Sequence, residues 1–300
     1  MSNINLETVT AVQNMSGGEP ILGHLMWFSV GKQLVKSDDL ENLLDNTGID
    51  KAFLPNPIRC ADAFRRATKE VEQKKQDSLN VFKNYLVREV FSDPATVQRN
   101  IVVETVDQNG KRLDYEPNAA FMMLDKKKVH FSFSILDEST REMCHLAEEK
   151  FQVYKSHYSA QQVRVMVAKI LNSLAPTPAR PHGGIYFVPS THTEGLEKLV
   201  KFVSSLENSE GFKVPLVNTY DNVKMVSKKL SDHLESLISE CKSSEGLRKA
   251  QLKELIHQAN MVIGDYKDYR DIVRSEEASF EEKIGKLKIE VARLIENMSD

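Results

Sequence analysis

Residues 251–273 read QLKELIHQANMVIGDYKDYRDIV, and apolar side chains recur in this stretch at alternating intervals of three and four. That spacing places a narrow apolar stripe along one side of a helix, which must pack on another helix to leave water. A second stripe occupies residues 280–294, and no proline interrupts 221–300. We therefore expect 221–300 to form three helices, at about 221–241, 246–273 and 280–297, folded as an antiparallel helical bundle or coiled coil.

The stripes have two interpretations that the sequence leaves open. Any three-helix bundle shows such stripes, so they predict packing within the chain. They also favour a further contact with a second copy or another protein. The residues that we expect to form this oligomer or partner interface are Leu252, Leu255, Val262, Tyr266, Tyr269, Val273, Ile284, Leu287, Val291 and Leu294.

Three further predictions concern this tail. At ~1.5 Å per residue the second helix should reach ~40 Å. Ser279 and Glu282 have the spacing of a capping box for the third helix. The tyrosine hydroxyl groups of Tyr266 and Tyr269 should lie at the edge of a contact or in water.

Residues 20–136 read as an antiparallel, β-rich domain that follows an N-terminal arm at 1–19. The apolar run 21–30 predicts a buried strand, and a helix starting near Arg59 is expected to continue through a charged end to Lys75. From residue 85 onward the hydrophobic period is two, with a hairpin turn at Asn109–Gly110. In 129–135 apolar residues alternate with polar ones, which predicts a sheet with one face in water.

Residues 137–220 alternate between helical and strand patterns, which predicts a small mixed α/β segment before the tail at 221–300. Ser159 and Gln162 form a predicted capping box. Thr191, with Glu194 three residues on, is the expected cap of a later helix. Strand, helix and strand over 184–218 suggest a βαβ crossover or a small winged arrangement. The expected fold class is therefore α+β.

Composition excludes several classes of protein. With 41% apolar and 28% charged residues the chain is an ordinary globular protein, and disorder throughout is excluded. A net charge of −3 shows no overall basic excess that would indicate nucleic acid or an anionic membrane. No apolar run approaches the ~20 residues of a membrane-spanning helix, and the N-terminus lacks a secretion signal, so we expect a cytoplasmic protein with no membrane partner. Three scattered cysteines, Cys60, Cys144 and Cys241, are expected to be free thiols.

The motifs that would indicate catalysis are missing. Metal-binding patterns such as CxxC and HExxH do not occur, and neither do the glycine-rich phosphate loops or a nucleophile elbow. We expect no catalytic residues, no metal and no cofactor. One alternative stays open, an enzyme whose site near His182 and His192 would join those histidines to a metal or a carboxylate.

Basic residues offer a second kind of site. Arg59, Arg66 and Lys69 share a face of the predicted helix and could contact a phosphate backbone, although Asp62, Glu70 and Glu72 dilute their charge. A second patch lies at the tip of a predicted hairpin. The residues of this alternative nucleic-acid site are Arg59, Arg65, Arg66, Lys69, Lys126, Lys127 and Lys128.

Three strings, NPIRCADAFRRATKEV (56–71), GGIYFVPSTH (183–192) and FKVPLVNTYDN (212–222), resemble an uncharacterised phage and bacterial family, a domain of unknown function spanning most of the chain. The resemblance implies a prokaryotic or phage setting and no mechanism. The leading functional prediction is a non-enzymatic interaction protein that assembles through its C-terminal helices into a homo-oligomer. It would bind another macromolecule, such as a host factor. The alternative is a nucleic-acid-binding accessory protein that uses the basic helix.

Overall fold

A computed structural model describes residues 20–181 and 183–299 and shows the predicted α+β fold. The predicted arm at 1–19 and His182 lie outside the described residues. The described residues divide into two compact units, one formed by 34–41 and 55–162 and the other by 20–33, 42–54 and 163–299. We call them the meander unit and the bundle unit.

Both units contain strands and helices, numbered here in chain order. The strands are β1 (Ile21–Ser29), β2 (Leu34–Lys36), β3 (Gln73–Ser78), β4 (Val81–Ser92), β5 (Thr96–Asp107), β6 (Arg112–Asp125), β7 (His130–Ile135), β8 (His157–Ser159), β9 (Thr177–Pro178), β10 (Tyr186–Pro189) and β11 (Glu210–Val217). The helices are α1 (Ser37–Thr47), α2 (Cys60–Lys69), α3 (Arg141–Tyr154), α4 (Ala160–Asn172), α5 (Thr193–Ser204), α6 (Tyr220–Lys242), α7 (Lys249–Asp265) and α8 (Glu277–Ser299).

The meander unit is built on a five-stranded antiparallel sheet with the strand order β3-β4-β5-β6-β7. Consecutive strands pair because short turns join them. At the predicted turn Asn109–Gly110, Gly110 adopts a φ of +80°, a conformation that glycine accepts without steric cost. One face of the sheet packs on α2 and α3 through a core that includes Phe64, Phe131 and Phe151. The predicted antiparallel sheet is confirmed.

The bundle unit has a four-stranded antiparallel sheet with the order β11-β1-β10-β9. Helix α5 packs on one face, where Gly211 lies against Val200 and Val203. Leu25 and Phe187 lie on the other face, and they share a hydrophobic core with α6, α7 and α8. The strand–helix–strand order predicted over 184–218 is confirmed, but β10 and β11 do not pair because β1 lies between them.

Several local predictions are confirmed. The tail contains three helices, and β1 occupies the predicted strand at 21–30. Ser159 and Gln162 form the expected capping box, in which the Gln162 amide N–H donates to Ser159 Oγ at 3.3 Å and Gln162 Oε1 accepts from the Ser159 amide at 2.9 Å. Cys60, Cys144 and Cys241 are free thiols.

The predicted basic helix through Lys75 is wrong, since α2 ends at Lys69. Residues 73–78 instead form the edge strand β3, in which Lys74 and Lys75 pair with Asn84 and Lys83 of β4. A polar segment of this kind has little strand propensity of its own. Pairing with a long neighbouring strand overrides that local preference.

Helix boundaries in the tail also differ from expectation. Helix α7 ends at Asp265 after 17 residues, which gives about 25 Å rather than ~40 Å. Tyr266, Tyr269 and Val273 follow in short 3-10 turns and bends that keep an apolar side inward. A spacing of three fits a 3-10 turn as well as an α-helix, so the stripe could not show where α7 ends.

Two predicted helix caps are wrong. Helix α8 begins at Glu277, so Ser279 lies inside it rather than at its cap. Thr191 lies in a 3-10 turn, and His192 occupies the N-cap position of α5 without a capping side-chain bond. In both places a 3-10 turn runs directly into the α-helix, which moves the start of the helix away from the capping sequence.

Candidate functional site

The predicted interface residues of the tail lie inside the bundle unit. Eight of them are buried, with exposures of 8% or less, and they belong to one core shared by α6, α7, α8 and the sheet; they are Leu255, Tyr266, Tyr269, Val273, Ile284, Leu287, Val291 and Leu294. Leu252 and Val262 are half-buried and pack against the same core. The stripe side chains therefore make their contacts within the chain, and a partner of the bundle would have to use its outer surface.

The three predicted cations of α2 and its N-cap residue Arg59 are each paired with a carboxylate. Arg59 Nε lies 2.7 Å from Asp62 Oδ2, Arg66 Nε lies 3.0 Å from Glu70 Oε1, and Lys69 Nζ lies 2.6 Å from Glu72 Oε2. The guanidinium of Arg65 contacts both carboxylate oxygens of Glu89, at 2.8 and 3.0 Å, and lowers the pKa of that carboxyl group. A phosphate at α2 would have to compete with a carboxylate at every position.

The second basic patch occupies the turn between β6 and β7. The Asp125 side chain accepts hydrogen bonds from the amides of Lys127 and Lys128 at 2.9 and 3.0 Å and so fixes the turn. The Lys126 ammonium group donates a hydrogen bond to the carbonyl oxygen of Asp93. Lys127 and Lys128 are exposed at the tip, so two of the three lysines face solvent.

A cavity of about 760 Å³ lies in the meander unit beside the start of α2. Arg66, which lines it, stacks its guanidinium 3.8 Å from the centre of the Tyr154 ring. Burial opposes ionisation of Glu70, but hydrogen bonds from Tyr154, Arg66 and Lys150 outweigh it and lower the pKa of this carboxyl group. Two cations, Arg66 and Lys150, therefore surround the single Glu70 carboxylate, which is the arrangement of a structural ion-pair cluster.

The bundle unit joins one of the two predicted histidines to a carboxylate. His192 Nε2 lies 3.0 Å from Asp268 Oδ2, and Asp265 lies nearby. Burial and the Asp268 charge raise the pKa of Asp265 to about 6. Among the described residues, no serine, cysteine or threonine side chain hydrogen-bonds to His192, and no three potential ligands come together in a metal-binding group. Within the described part of the chain, the pair therefore lacks a nucleophile.

The second face of the five-stranded sheet has a different character. No helix of the meander unit packs on it, since α2 and α3 both join the core on the first face. Directly opposed residues of antiparallel strands point to the same side. By this register the open face, as we call it, carries Lys74, Gln76, Phe82, Asn84, Leu86, Arg88, Phe91, Thr96, Gln98, Asn100, Val102, Glu104, Val106, Arg112, Tyr115, Asn118, Phe121, Met123, Asp125, His130, Ser132 and Ser134, of which Val102 and Val106 are buried.

Large apolar side chains are exposed on the open face. Phe91, Tyr115 and Met123 have 51%, 42% and 41% of their surface in solvent. The opposed residues Phe91, Gln98 and Met123 form one row across three strands, and Arg88, Asn100 and Phe121 form the next. Sequence reasoning predicted a polar outer face from residues 129–135, where Ser132 and Ser134 are indeed polar. A period of two within β4 and within β6 groups some aromatic residues of each strand, but only the pairing brings those strands together on one face.

One cation of the open face is paired and two are not. Arg112 contacts Glu104 at 3.2 Å and lies over the Tyr115 ring. Lys74 Nζ lies 4.4 Å from the centre of the Phe82 ring. Lys74 and Arg88 have no carboxylate partner among the residues that the structure describes. The face thus combines aromatic rings, amides and positive charge.

The sequence profile of one protein family matches residues 21–300, nearly the whole chain. The chain belongs to DUF6744, a family of unknown function. No curated protein and no solved structure matches this DUF6744 chain. Across the described part of the chain, no helix combines the length and apolar character needed to cross a membrane. The resemblance to a domain of unknown function is confirmed, and it assigns no activity.

Proposed function

We propose that this DUF6744 protein is a non-enzymatic binding protein whose open face binds another macromolecule. The observation that carries the proposal is the set of exposed apolar side chains on a sheet face that no helix of the meander unit covers. An antiparallel sheet can leave one face in water, but that face is then normally polar. A contiguous exposed apolar patch on a soluble protein marks an interaction site.

The structure offers less support for the other candidate surfaces. The helical stripes are used within the bundle unit, and the cations of α2 are paired with carboxylates. His192 and Asp268 lack the nucleophile that covalent catalysis requires. These observations favour binding on the open face over catalysis or a basic-helix site.

Assembly into a homo-oligomer through the bundle, as a coiled coil or otherwise, remains a second proposal. It would use the outer surface of α8, where Ile289 and Ile295 are exposed, because the inner stripe is occupied. A cytoplasmic location, a phage setting and a host factor as partner complete this proposal. Light scattering over a range of protein concentrations tests it, and a monomer at every concentration would remove it.

Co-purification from the native host tests the main proposal. The variant Phe91→Glu plus Met123→Glu places two charges on exposed positions of the open face. Ile289→Glu is the matched control, because Ile289 is 69% exposed on α8. We expect the wild type and the control to retain a partner that the open-face variant loses. Retention of the same partner by the open-face variant would contradict the proposal.

A further inference from the structure

We propose that the macromolecule bound by the open face is a single-stranded nucleic acid. This inference rests on the proposed function and adds the class of partner. Proteins that bind single strands combine aromatic side chains, on which bases stack, with cations that follow the phosphate backbone. The open face carries both kinds of group on one continuous sheet surface.

The aromatic groups are spaced for more than one base. Phe91 and Phe121 occupy adjacent rows, since their partners Gln98 and Asn100 are two residues apart on β5. Two residues of a strand span about 7 Å, so the rows follow one another along the sheet. Tyr115 lies further along the same face, opposite Glu104. Rings in successive rows can each offer a surface to an unpaired base.

Amide groups between the rings are held in fixed positions. Asn100 is 5% exposed, and its side chain accepts a hydrogen bond from Gln98 Nε2 at 3.1 Å and donates one to Asn118 Oδ1 at 2.9 Å. Gln98 Oε1 and Asn118 Nδ2 make no hydrogen bond with the described residues, so an acceptor and a donor remain available. Amides that present both a donor and an acceptor suit the hydrogen-bonding edges of bases.

The charge of the face favours an anionic partner over a protein. Arg88 is exposed beside Asn100 and Phe121 and has no carboxylate partner among the described residues. Lys74, next to Phe82, likewise has none among them. The chain as a whole has a net charge of −3, whereas the open face carries three cations, Lys74, Arg88 and Arg112, against two carboxylates, Glu104 and Asp125. Cations without partners can contact phosphates without displacing a carboxylate, unlike those of α2.

A duplex fits this surface poorly. The faces of paired bases are stacked inside a double helix, and their edges are reached through a groove by a helix or a narrow ribbon. A broad sheet with exposed rings requires bases that are unstacked and unpaired. The geometry therefore points to single-stranded DNA or RNA.

Fluorescence anisotropy with labelled oligo(dT), oligo(U) and a duplex of the same length tests the inference, at about 50 and about 200 mM NaCl. The full-length wild type should bind a single strand more tightly than the duplex. Phe91→Ala should weaken this binding about tenfold, from the loss of one stacked base. Phe121→Leu, which keeps apolar bulk but removes the ring, should also weaken it.

Charge is tested with a matched pair. Arg88→Gln should weaken binding and reduce the salt slope by about 0.7 for the lost phosphate contact. Arg59→Gln removes one charge at the start of α2, from a side chain that is 81% exposed. It should leave both the affinity and the salt slope unchanged. Ile289→Ala is the control for loss of an exposed apolar group.

The results separate this inference from the proposed function. Absence of single-strand binding, preference for the duplex, or equal effects of the open-face and control variants would overturn the inference. If the open-face variant nevertheless loses a protein partner from the native host, the proposed function stands and only the class of partner is wrong. If that variant loses nothing, the proposed function fails as well.

Discussion

Asp265 is the residue whose ionisation should have the clearest effect on stability. Its carboxyl group is half-buried beside Asp268, and its pKa is raised to about 6 in the folded chain from an ordinary 3.8. The folded state therefore holds a proton that the unfolded state releases. Stability is highest below pH 4 with respect to this group, and it is lost as the pH rises through about 6.

Asp265→Asn should remove this dependence. We expect the variant to be more stable than the wild type at pH 7.5, on the order of 1 kcal/mol after the shift is discounted for solvent screening, and equal to it near pH 4. Thermal unfolding at the two pH values measures the difference. Asp271→Asn, at a side chain that is 94% exposed, is the control. An Asp265 variant that gains no stability at pH 7.5 would show that ionisation of this carboxyl group does not destabilise the fold.

Tyrosine hydroxyl groups show what sequence could not predict at this scale. Tyr269 was expected at a contact edge, but it is 1% exposed, and its hydroxyl donates to the Ala175 carbonyl at 2.6 Å and accepts from Thr177 Oγ1 at 2.8 Å. Both partners lie more than 90 residues away in the chain. A partner brought by tertiary folding leaves no local signal, so the expectation of a wet hydroxyl was wrong.

At the level of elements, substitutions in α8 can test whether its apolar stripe packs within the chain. Leu287 is fully buried in the stripe, whereas Ile289 on the same helix is exposed. We expect Leu287→Ala to lower the free energy of unfolding by about 2–5 kcal/mol and Ile289→Ala to change it by less than about 0.5. Denaturant unfolding at two protein concentrations provides the measurement.

Concentration separates the two interpretations of the stripe. If the stripe packs within one chain, Leu287→Ala lowers the free energy of unfolding by the same amount at both protein concentrations. If this decrease in the free energy of unfolding becomes larger on dilution, the stripe packs between chains, because the stability of a dimer depends on protomer concentration.

Periodicity predicted most elements, but their ends depended on other forces. The stripes of α7 and α8 and the alternation in β7 come directly from burial of one side, which sequence records. The end of α2 at Lys69 and the start of β3 depend on pairing with β4, and 3-10 turns shifted the start of α5 and α8. Local sequence patterns could not predict these helix and strand boundaries.

At the level of the whole molecule, the sequence drew attention to the helical tail rather than to the open face. The tail was singled out because its stripes are conspicuous, yet they complete a core that includes Phe187 of the sheet. The open face was missed because its aromatic residues are spread over strands that only the register brings together. A surface made from three strands can be recognised only once their pairing is known.

The central claim is that the open face is where this protein meets its partner. Photocrosslinking in the native host tests it most directly, with a benzophenone amino acid placed at position 123 on the open face or at position 289 on α8. We predict a crosslinked partner from position 123, removed by nuclease if it is a nucleic acid, and from position 289 at most a crosslink to a second copy of the chain. Crosslinks from position 289 alone, or none from position 123, would contradict the account.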